Sequence, residues 1–392
     1  MSTQPRTLVL QTALNPATGV FSAIRQLIVW LQKQPGLTVA AGLFGSKHWS
    51  RHYMQNLAEL QLPLFFREMG GFRGAYLLLG LSSAMNRWVQ QLHDAYKPEH
   101  LVIHFHTGIT AGLFLPIRAR LDCPLSLVVN FHGYFYASGA SRLLDLVRQQ
   151  NHRWWARRLR RHGAAFICVD RPSIQPSAAY LGLPPREFQA FPNGIEDLGL
   201  QGCPRLQQPD RPFTIGFIGN FYENKGWHLA AEAAEQLYRQ GKGIRLLMAG
   251  GKGPEYARAR QWAESRPEFA TFLGFVENAS VTLIPQFDVL VAPYRVVGAP
   301  MVILDALSCG VPVIATAVNA MADMVRPRDN GFLVARDPAP IARCLTELID
   351  NHALHQQMSR RAVEIFRNKF DINKTCVNYL NLYNTLYQRT RK

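Results

Sequence analysis

Short apolar runs alternate with amphipathic stretches along the chain. In the first half, these runs have the length and composition of strands: 7–10, 37–43, 101–105, 126–131 and 165–169. Between them, apolar residues recur at helical spacing, beginning with Val20, Ile24 and Leu27. Strands that alternate with helices predict a parallel sheet, and ligands of such sheets bind at the carboxyl ends of the strands.

The second half repeats this rhythm, with strand-like runs at 214–218, 244–249, 271–273, 289–292 and 313–315. Residues 201–212 contain a glycine and three prolines with little hydrophobicity, which is typical of a linker. A chain of 392 residues is also long for one core. We therefore expect an α/β protein of two doubly wound, Rossmann-like domains, 1–200 and 213–372. Residues 373–392 should form a helix that returns to the first domain.

The net charge of the chain indicates what kind of partner it binds. The formal net charge is +16, which predicts an anionic partner: nucleic acid, phospholipid headgroups or a phosphorylated substrate. The six cysteines lack Cys-x-x-Cys spacing and are interpreted as reduced structural thiols. Neither a signal peptide nor an apolar run of about 18–20 residues is apparent. We expect a cytoplasmic protein, held peripherally on the inner face of the cytoplasmic membrane.

A glycine-containing loop follows the first strand of the second half. It reads Gly-Asn-Phe-Tyr-Glu-Asn-Lys-Gly over 219–226 and precedes a helix that should begin near Trp227. Backbone amides and the side chain of Lys225 can converge there on a phosphate. The alternative is a solvated loop whose lysine serves only solubility.

A second glycine-rich turn, Gly-Gly-Lys-Gly-Pro, occupies 250–254. It lacks the third glycine and the acidic residue of a dinucleotide fingerprint, so a loop at the edge of a nucleotide fits better. The following segment, 272–276, could bring main chain up to a base. Its alternative interpretation is a buried edge strand with a tight turn.

The segment Pro-Asn-Gly-Ile-Glu at 192–196 lies between the halves, where a hinge would place a ligand. Asn-Gly is turn chemistry, in which Gly194 could take a positive φ. Together with the ordered segments 219–226, 249–254, 273–276, 288–293 and 304–316, this segment gives a recognisable pattern. The chain resembles the retaining glycosyltransferases of family 4, which have the GT-B fold with two domains facing across a cleft. The resemblance is close over about 190–370 and looser in the first domain.

The resemblance implies a nucleotide-sugar donor. In that family an arginine and a lysine grip the diphosphate, and two glutamates hold the donor sugar and the ribose. This chain keeps only Lys225, because Asn220, Val297 and Asp305 stand at the other three positions. Asp305 can accept hydrogen bonds from ribose hydroxyls, whereas Val297 can bond no sugar hydroxyl.

Other groups should therefore help to bind the diphosphate: Arg295 and the amides at the helix start near 300–302. The donor-binding residues implied by the resemblance are Gly19, Asn220, Lys225, Gly251, Val276, Pro300, Met301, Val302 and Asp305.

The first half supplies a candidate catalytic residue. His132 ends an apolar strand, and the resemblance implies that it faces the donor sugar; His104 and His106 lie at the end of another strand. Gly19, expected in the first strand-to-helix loop, resembles a glycine that lets backbone approach the diphosphate, although Thr18 replaces its glycine neighbour. Retaining transfer in this family uses the leaving diphosphate to help deprotonate the acceptor. No carboxylate dyad, metal or other cofactor is therefore implied.

A basic segment stands apart from these motifs. It concentrates arginine and tryptophan in about three helical turns: Arg153, Trp154, Trp155, Arg157, Arg158, Arg160 and Arg161. An anchor for an anionic membrane surface comes first among its interpretations, an ordinary amphipathic helix second and single-stranded nucleic acid third. No motif favours nucleic acid, so none is expected as a partner.

These observations predict transfer of a sugar, with retention, to a glycolipid or glycan acceptor. The setting implied by the resemblance is lipopolysaccharide core, O-antigen or exopolysaccharide biosynthesis. The alternative is a catalytically inactive GT-B homologue that acts as a scaffold or partner subunit.

Overall fold

The computed structural model describes residues 6–14, 18–45, 55–68, 75–106, 117, 119–132, 142–200, 211–295, 300–318 and 321–391. Within these ranges, side chains are described except at 14, 18–19, 44–45, 67–68, 75–81 and 142–144. The chain divides into two compact units. Unit 1 comprises 1–194 and 372–392, and unit 2 comprises 195–371.

Both units are built on parallel sheets. The strands of unit 1 are β1 (Thr7–Leu14), β2 (Leu37–Gly45), β3 (Leu64–Glu68), β4 (His100–Phe105), β5 (Leu125–Phe131), β6 (Ala165–Cys168) and β7 (Phe188–Ala190). Those of unit 2 are β8 (Phe213–Ile218), β9 (Ile244–Ala249), β10 (Ala270–Gly274), β11 (Val289–Ala292), β12 (Val313–Thr316) and β13 (Gly331–Val334). Among the described residues the sheet orders are β3-β2-β1-β4-β5-β6-β7 and β10-β9-β8-β11-β12-β13.

Helices connect the strands. They include α1 (Thr18–Gln32), α2 (Ala75–Tyr96), α3 (Arg142–Arg161), α4 (Ile174–Leu181), α5 (Trp227–Arg239), α6 (Tyr256–Glu264), α7 (Ala279–Thr282), α8 (Met301–Ser308), α9 (Met321–Met324), α10 (Pro338–Asp350), α11 (His352–Lys369) and α12 (Ile372–Thr390). Short 3₁₀ turns occur at Pro185–Glu187, Glu223–Lys225 and Ile284–Gln286.

The predicted α/β class with two doubly wound sheets is confirmed. The strands absent from the sequence prediction are β3, β7 and β13, and each lies at an edge of its sheet. Of these strands β7 has the mixed sequence Phe-Gln-Ala, whereas β3 and β13 contain short apolar runs that the sequence prediction leaves out.

Helix α12 belongs to the core of unit 1. Its Tyr379, Tyr383 and Leu386 are buried in one cluster with Ile28 of α1 and Val128 of β5. These contacts explain why the last segment of the chain groups with the first unit instead of the second.

The units part at Gly194, ahead of the linker expected at 201–212, of which 201–210 lie outside the described residues. The expectation that Gly194 takes a positive φ is wrong, because it is absent from the glycines with that conformation. A Cβ on Gly194 would lie 2.8 Å from the Cα of Ile372 and 2.7 Å from Oγ1 of Thr375. The glycine is needed there for close packing on the start of α12.

Candidate functional site

The strand order of unit 2 reverses between β8 and β11, and the loops after these two strands meet. Ligands of doubly wound sheets bind at such a switch point. Gly226, after β8, has φ of 69°, and a Cβ on it would lie 2.4 Å from the carbonyl oxygen of Pro293, after β11. Only glycine combines this left-handed backbone with so close an approach.

Lys225 lies at this junction, as the last residue of the 3₁₀ turn that precedes α5. Its Nζ is 4.2 Å from the ring centroid of Tyr294, a buried residue whose hydroxyl donates to the carbonyl oxygen of Ile218 at 3.3 Å. Burial lowers the pKa of the lysine. No carboxylate of the described residues forms an ion pair with it. A half-buried ammonium without a counter-ion is a site for an anion.

A charge cluster lies next to this lysine in sequence. The Glu223 carboxylate accepts from Nη2 of Arg295 at 2.7 Å and from Nη2 of Arg336 at 3.0 Å. Two guanidinium groups share one carboxylate, so the cluster keeps one net positive charge. Arg295 is thus tied to Glu223 instead of being free to bind a diphosphate alone, and Arg336 was missed because it follows the unpredicted strand β13.

The two glycine-containing loops pack directly on each other. A Cβ on Gly250 would lie 2.0 Å from the carbonyl oxygen of Gly219, and one on Gly253 would lie 2.2 Å from that of Phe221. Gly253 also has φ of 135°. Gly250 and Gly253 are therefore required for the fit between the loops after β8 and β9.

Gly251 lies against the ring of Phe275, which is 70% exposed. A Cβ on Gly251 would come within 3.2 Å of that ring. Val276 follows in the loop after β10 and is half-buried. An exposed aromatic ring beside a glycine offers a flat apolar surface of the kind on which a base can stack.

Helix α8 begins with Pro300 as its N-cap, and no side chain caps its first amides. Met301 is buried and Val302 half-buried. Burial raises the pKa of Asp305, one turn further along, to about 7. Its carboxylate has no hydrogen-bond or ion-pair partner among the described residues. Val297 lies outside the described residues.

Histidines gather at the switch point of unit 1, between β1 and β4. Nδ1 of His106 is 2.9 Å from Nε2 of His132, and Nε2 of His106 is 2.6 Å from Oε1 of Gln11. His104 bonds through Nδ1 to the hydroxyl of Tyr383 at 2.8 Å. Burial lowers the pKa of His132 to about 4 and that of His104 to about 3. These rings are therefore neutral near pH 7.

Comparisons with known proteins match both units. The family described as "Glycosyl transferases group 1" matches residues 212–351, and "Glycosyl transferase 4-like domain" matches 18–194. The two matches together span most of the chain. The chain belongs to the group 1 glycosyltransferases.

Individual relatives agree with this membership. A 2-deoxystreptamine glucosyltransferase of Streptomyces kanamyceticus is 24% identical over 82% of this chain and 86% of that protein. An Escherichia coli UDP-Gal:alpha-D-GlcNAc-diphosphoundecaprenol alpha-1,3-galactosyltransferase is 22% identical over 73% of this chain and 76% of that protein. The solved structure of Anabaena Alr3699/HepE in complex with UDP has a TM-score of 0.74 at 18% identity, covering 97% and 99% of the two chains.

The protein is therefore a nucleotide-sugar-dependent glycosyltransferase with the GT-B fold. Its match at 18–194 extends the likeness to the first unit, where sequence motifs showed it only loosely.

The structure also locates two further predicted donor-binding residues of the glycosyltransferase, Gly19 and Asn220. Gly19 is the second residue of α1, so the prediction that it lies in the preceding loop is wrong; the helix begins at Thr18. Asn220 is half-buried, and its backbone oxygen accepts from the amide of Tyr222 at 2.9 Å.

The basic segment forms the second half of α3. Arg157 and Arg161 are exposed and have no ion pair among the described residues, and Trp154 is 51% exposed. The guanidinium carbon of Arg158 lies 5.4 Å from the Trp154 ring centroid. These side chains form a basic, partly aromatic surface, continued along α3 by exposed Leu146 and Val147.

Other members of this segment have structural partners. Arg153 donates from Nε to the carbonyl oxygen of Tyr180 at 3.0 Å, and Arg160 pairs with Glu187 at 2.7 Å. Trp155 packs against the core of unit 1. A pocket of about 350 Å³ opens here, lined by Arg157, Arg160, Arg161, Gly182 and Leu183.

None of the helices that the structure describes has the length and apolar content required to cross a membrane.

Proposed function

We propose that this glycosyltransferase transfers a hexosyl group, with retention, from a nucleotide sugar to a lipid-linked or surface glycan acceptor. The observation that carries the proposal is the half-buried ammonium of Lys225 at the switch point of unit 2, which has no carboxylate partner among the described residues. An anionic ligand supplies the missing counter-charge, and a diphosphate is the anion common to nucleotide sugars.

The remaining predicted donor residues supply complementary contacts. In this proposal the free amides of Met301 and Val302, which follow the N-cap Pro300 at the start of α8, assist Lys225 at the diphosphate. The carboxylate of Asp305 accepts hydrogen bonds from the ribose hydroxyls, since no described residue donates a hydrogen bond to it. The loops that carry Gly251 and Val276 receive the base. Anabaena Alr3699/HepE was solved with UDP, with UDP and glucose, and with UDP-glucose, which makes uridine nucleotides the first donors to test.

The sugar-transfer step is proposed to use the leaving diphosphate as the group that helps to deprotonate the acceptor. His132 contacts the donor sugar. Lys225 and backbone amides neutralise the phosphate charge, so we propose that no metal is needed.

The acceptor side of the proposal rests on α3. Exposed Arg157 and Arg161, which have no ion-pair partner within the described part of the chain, and the exposed Trp154 fit the interfacial region of an anionic membrane. One relative acts, by its name, on a diphosphoundecaprenol-linked sugar, while another acts on 2-deoxystreptamine. We favour the lipid-linked class because the basic, aromatic surface suits a protein that works at a membrane face.

Asn220 keeps a second candidate open, that of an inactive homologue acting as a scaffold or partner subunit. An amide in place of the family's arginine removes a charged donor worth about 1.5–3 kcal/mol to a phosphate. Under this candidate, nucleotide sugars bind weakly and no sugar is transferred.

The test is a transfer assay with UDP-, GDP- and ADP-sugars, offered with either a membrane-lipid extract or 2-deoxystreptamine. Lys225→Met is the test variant. Lys242→Met is its control, because Lys242 lies in the same unit but pairs with Asp350 at 2.7 Å. The proposal predicts a lipid-soluble product whose anomeric configuration, read by NMR, matches the donor, with equal yield in EDTA. A product with inverted configuration contradicts retention, and a need for metal contradicts the metal-free mechanism. A product formed only from 2-deoxystreptamine contradicts the lipid-linked acceptor.

A further inference from the structure

Three side chains form a continuous hydrogen-bonded row in unit 1. It runs from Oε1 of Gln11 to Nε2 of His106 at 2.6 Å, and from Nδ1 of His106 to Nε2 of His132 at 2.9 Å. Gln11 and His106 are 1% and 2% exposed, so water does not compete for these bonds. We call this row the histidine relay.

The donors and acceptors of the relay follow from its first member. A carboxamide oxygen only accepts, so Nε2 of His106 carries the proton. A neutral His106 then offers Nδ1 as an acceptor, and Nε2 of His132 must donate to it. The other nitrogen of His132, Nδ1, is left as an unprotonated lone pair. It is buried and has no partner among the described residues.

Neighbouring groups hold the relay in this arrangement. The Gln11 amide nitrogen is 3.4 Å from the hydroxyl of Tyr383, which orients the carboxamide oxygen towards His106. The ring of His104 stacks on that of His106 with centroids 4.2 Å apart. Burial and the neighbouring rings keep the pKa of His106 well below its usual value, so the neutral form required by the relay persists.

We propose that Gln11 and His106 are positioning residues that hold His132 as its Nε2–H tautomer, with Nδ1 presented as an acceptor to a sugar hydroxyl. This inference rests on the proposed role of His132 at the donor sugar. His132 follows β5 at the carboxyl end of the sheet, where doubly wound folds bind ligands.

The tautomer decides what His132 can bind. A lone pair accepts from a hydroxyl and is repelled by a phosphate or carboxylate oxygen, whereas an N–H would attract such an oxygen. The relay therefore makes His132 selective for the sugar part of the donor over its diphosphate. A buried acceptor left without a donor also costs free energy, so a ligand lacking that hydroxyl should bind less well.

The direct test is ¹⁵N NMR of the full chain labelled at histidine, without any ligand. His132 is assigned by the signals lost in His132→Gln. The relay predicts a protonated Nε2 and an unprotonated Nδ1 for His132. A proton on Nδ1, or a mixture of both tautomers, overturns the proposal.

Variants test the positioning role. His106→Phe should release His132 into mixed tautomers, and His106→Asn should restore Nε2–H because its Oδ1 can replace Nδ1 as the acceptor. His100→Phe is the control, since His100 is a buried histidine in β4, the strand that precedes His106, and its Nε2 lies 2.8 Å from Oγ of Ser126. An unchanged His132 tautomer in His106→Phe overturns the role of His106.

A binding measurement separates this inference from the proposed function. His106→Phe should weaken binding of UDP-glucose about fivefold and leave binding of UDP unchanged, because only UDP-glucose carries the glucose hydroxyl that His132 is proposed to bind. Equal weakening of both ligands indicates general damage and overturns the selective role. If the wild-type protein binds neither ligand, a uridine nucleotide is not its donor. The tautomer of His132 measured by NMR still tests the histidine relay in that case.

Discussion

Asp305→Asn provides a test that couples stability to function in unit 2. Burial raises the pKa of Asp305 from 3.8 to about 7 in the folded protein. Between these values the folded protein holds the proton and the unfolded chain releases it. The folded state therefore binds more protons, and the free energy of unfolding falls as pH rises from about 4 to about 7.

The size of this effect follows from the pKa difference. About three pH units at about 1.4 kcal/mol each limit the loss of unfolding free energy to about 4 kcal/mol. This loss is complete above pH 7. We expect about 2 kcal/mol, because the residue is not fully shielded from solvent. An asparagine carries no charge to desolvate, so Asp305→Asn should be more stable than wild type above pH 7 and nearly equal to it at pH 4.

The assay is urea unfolding of both proteins at intervals between pH 4 and pH 8. Asp329→Asn is a control of opposite sign, because its hydrogen bond to Arg361 lowers the pKa of Asp329. Asp329→Asn should be less stable than wild type at pH values above the usual pKa range of a carboxyl group. This difference in stability should shrink as the pH falls. A stability difference between Asp305→Asn and wild type that stays constant with pH refutes the buried, unpaired carboxylate.

The same carboxylate links pH to donor binding. Ribose hydroxyls donate to its ionised form, so binding should tighten in the wild type as pH rises through 7. In Asp305→Asn this pH dependence should disappear and the affinity should fall. A variant that binds a nucleotide sugar as tightly as wild type at pH 8 shows that Asp305 does not contact the ribose.

Two further predictions concern the fold and the membrane. Gly226→Ala should destabilise unit 2 by at least about 2 kcal/mol in urea unfolding. The loss should exceed that of Gly241→Ala, because Gly241 has a similar φ but no atom within 4 Å of the new Cβ. Equal losses would show that the close approach of Gly226 to Pro293, after β11, is unimportant. Arg157→Gln should weaken binding to anionic vesicles about fivefold at low salt, as measured by co-sedimentation. Arg260→Gln in unit 2 is the control and should bind like the wild type, because Arg260 is ion-paired with Glu264 on its own helix. Equal losses in the two variants would indicate only an effect of net charge.

The sequence predicts the central strands and the glycine loops of this protein well. Central parallel strands are buried on both faces, so β4 and β11 appear as apolar runs, and Lys225 is conspicuous between a strand and a helix. The edge strands β3, β7 and β13 are not predicted, although β3 and β13 contain short apolar runs. Arg336, which follows β13, is missed together with that strand.

Other features depend on contacts between residues far apart in the chain. Gly194 is required by the approach of Ile372, and the role of Gln11 in the histidine relay needs β1 and β4 to be neighbours. Neither pairing leaves a local signal. The basic segment shows the opposite case, because its composition was evident while only the structure separates exposed Arg157 from Arg153, which binds the end of α4.

The most direct test of the account is calorimetric titration of the protein with UDP-, GDP- and ADP-sugars. One donor class should bind, and Lys225→Met should weaken it at least tenfold, since a charged hydrogen bond to phosphate is worth about 1.5–3 kcal/mol. Lys242→Met should bind like the wild type. Failure of every nucleotide sugar to bind, or an equal affinity in Lys225→Met, would contradict a diphosphate site at the switch point of unit 2.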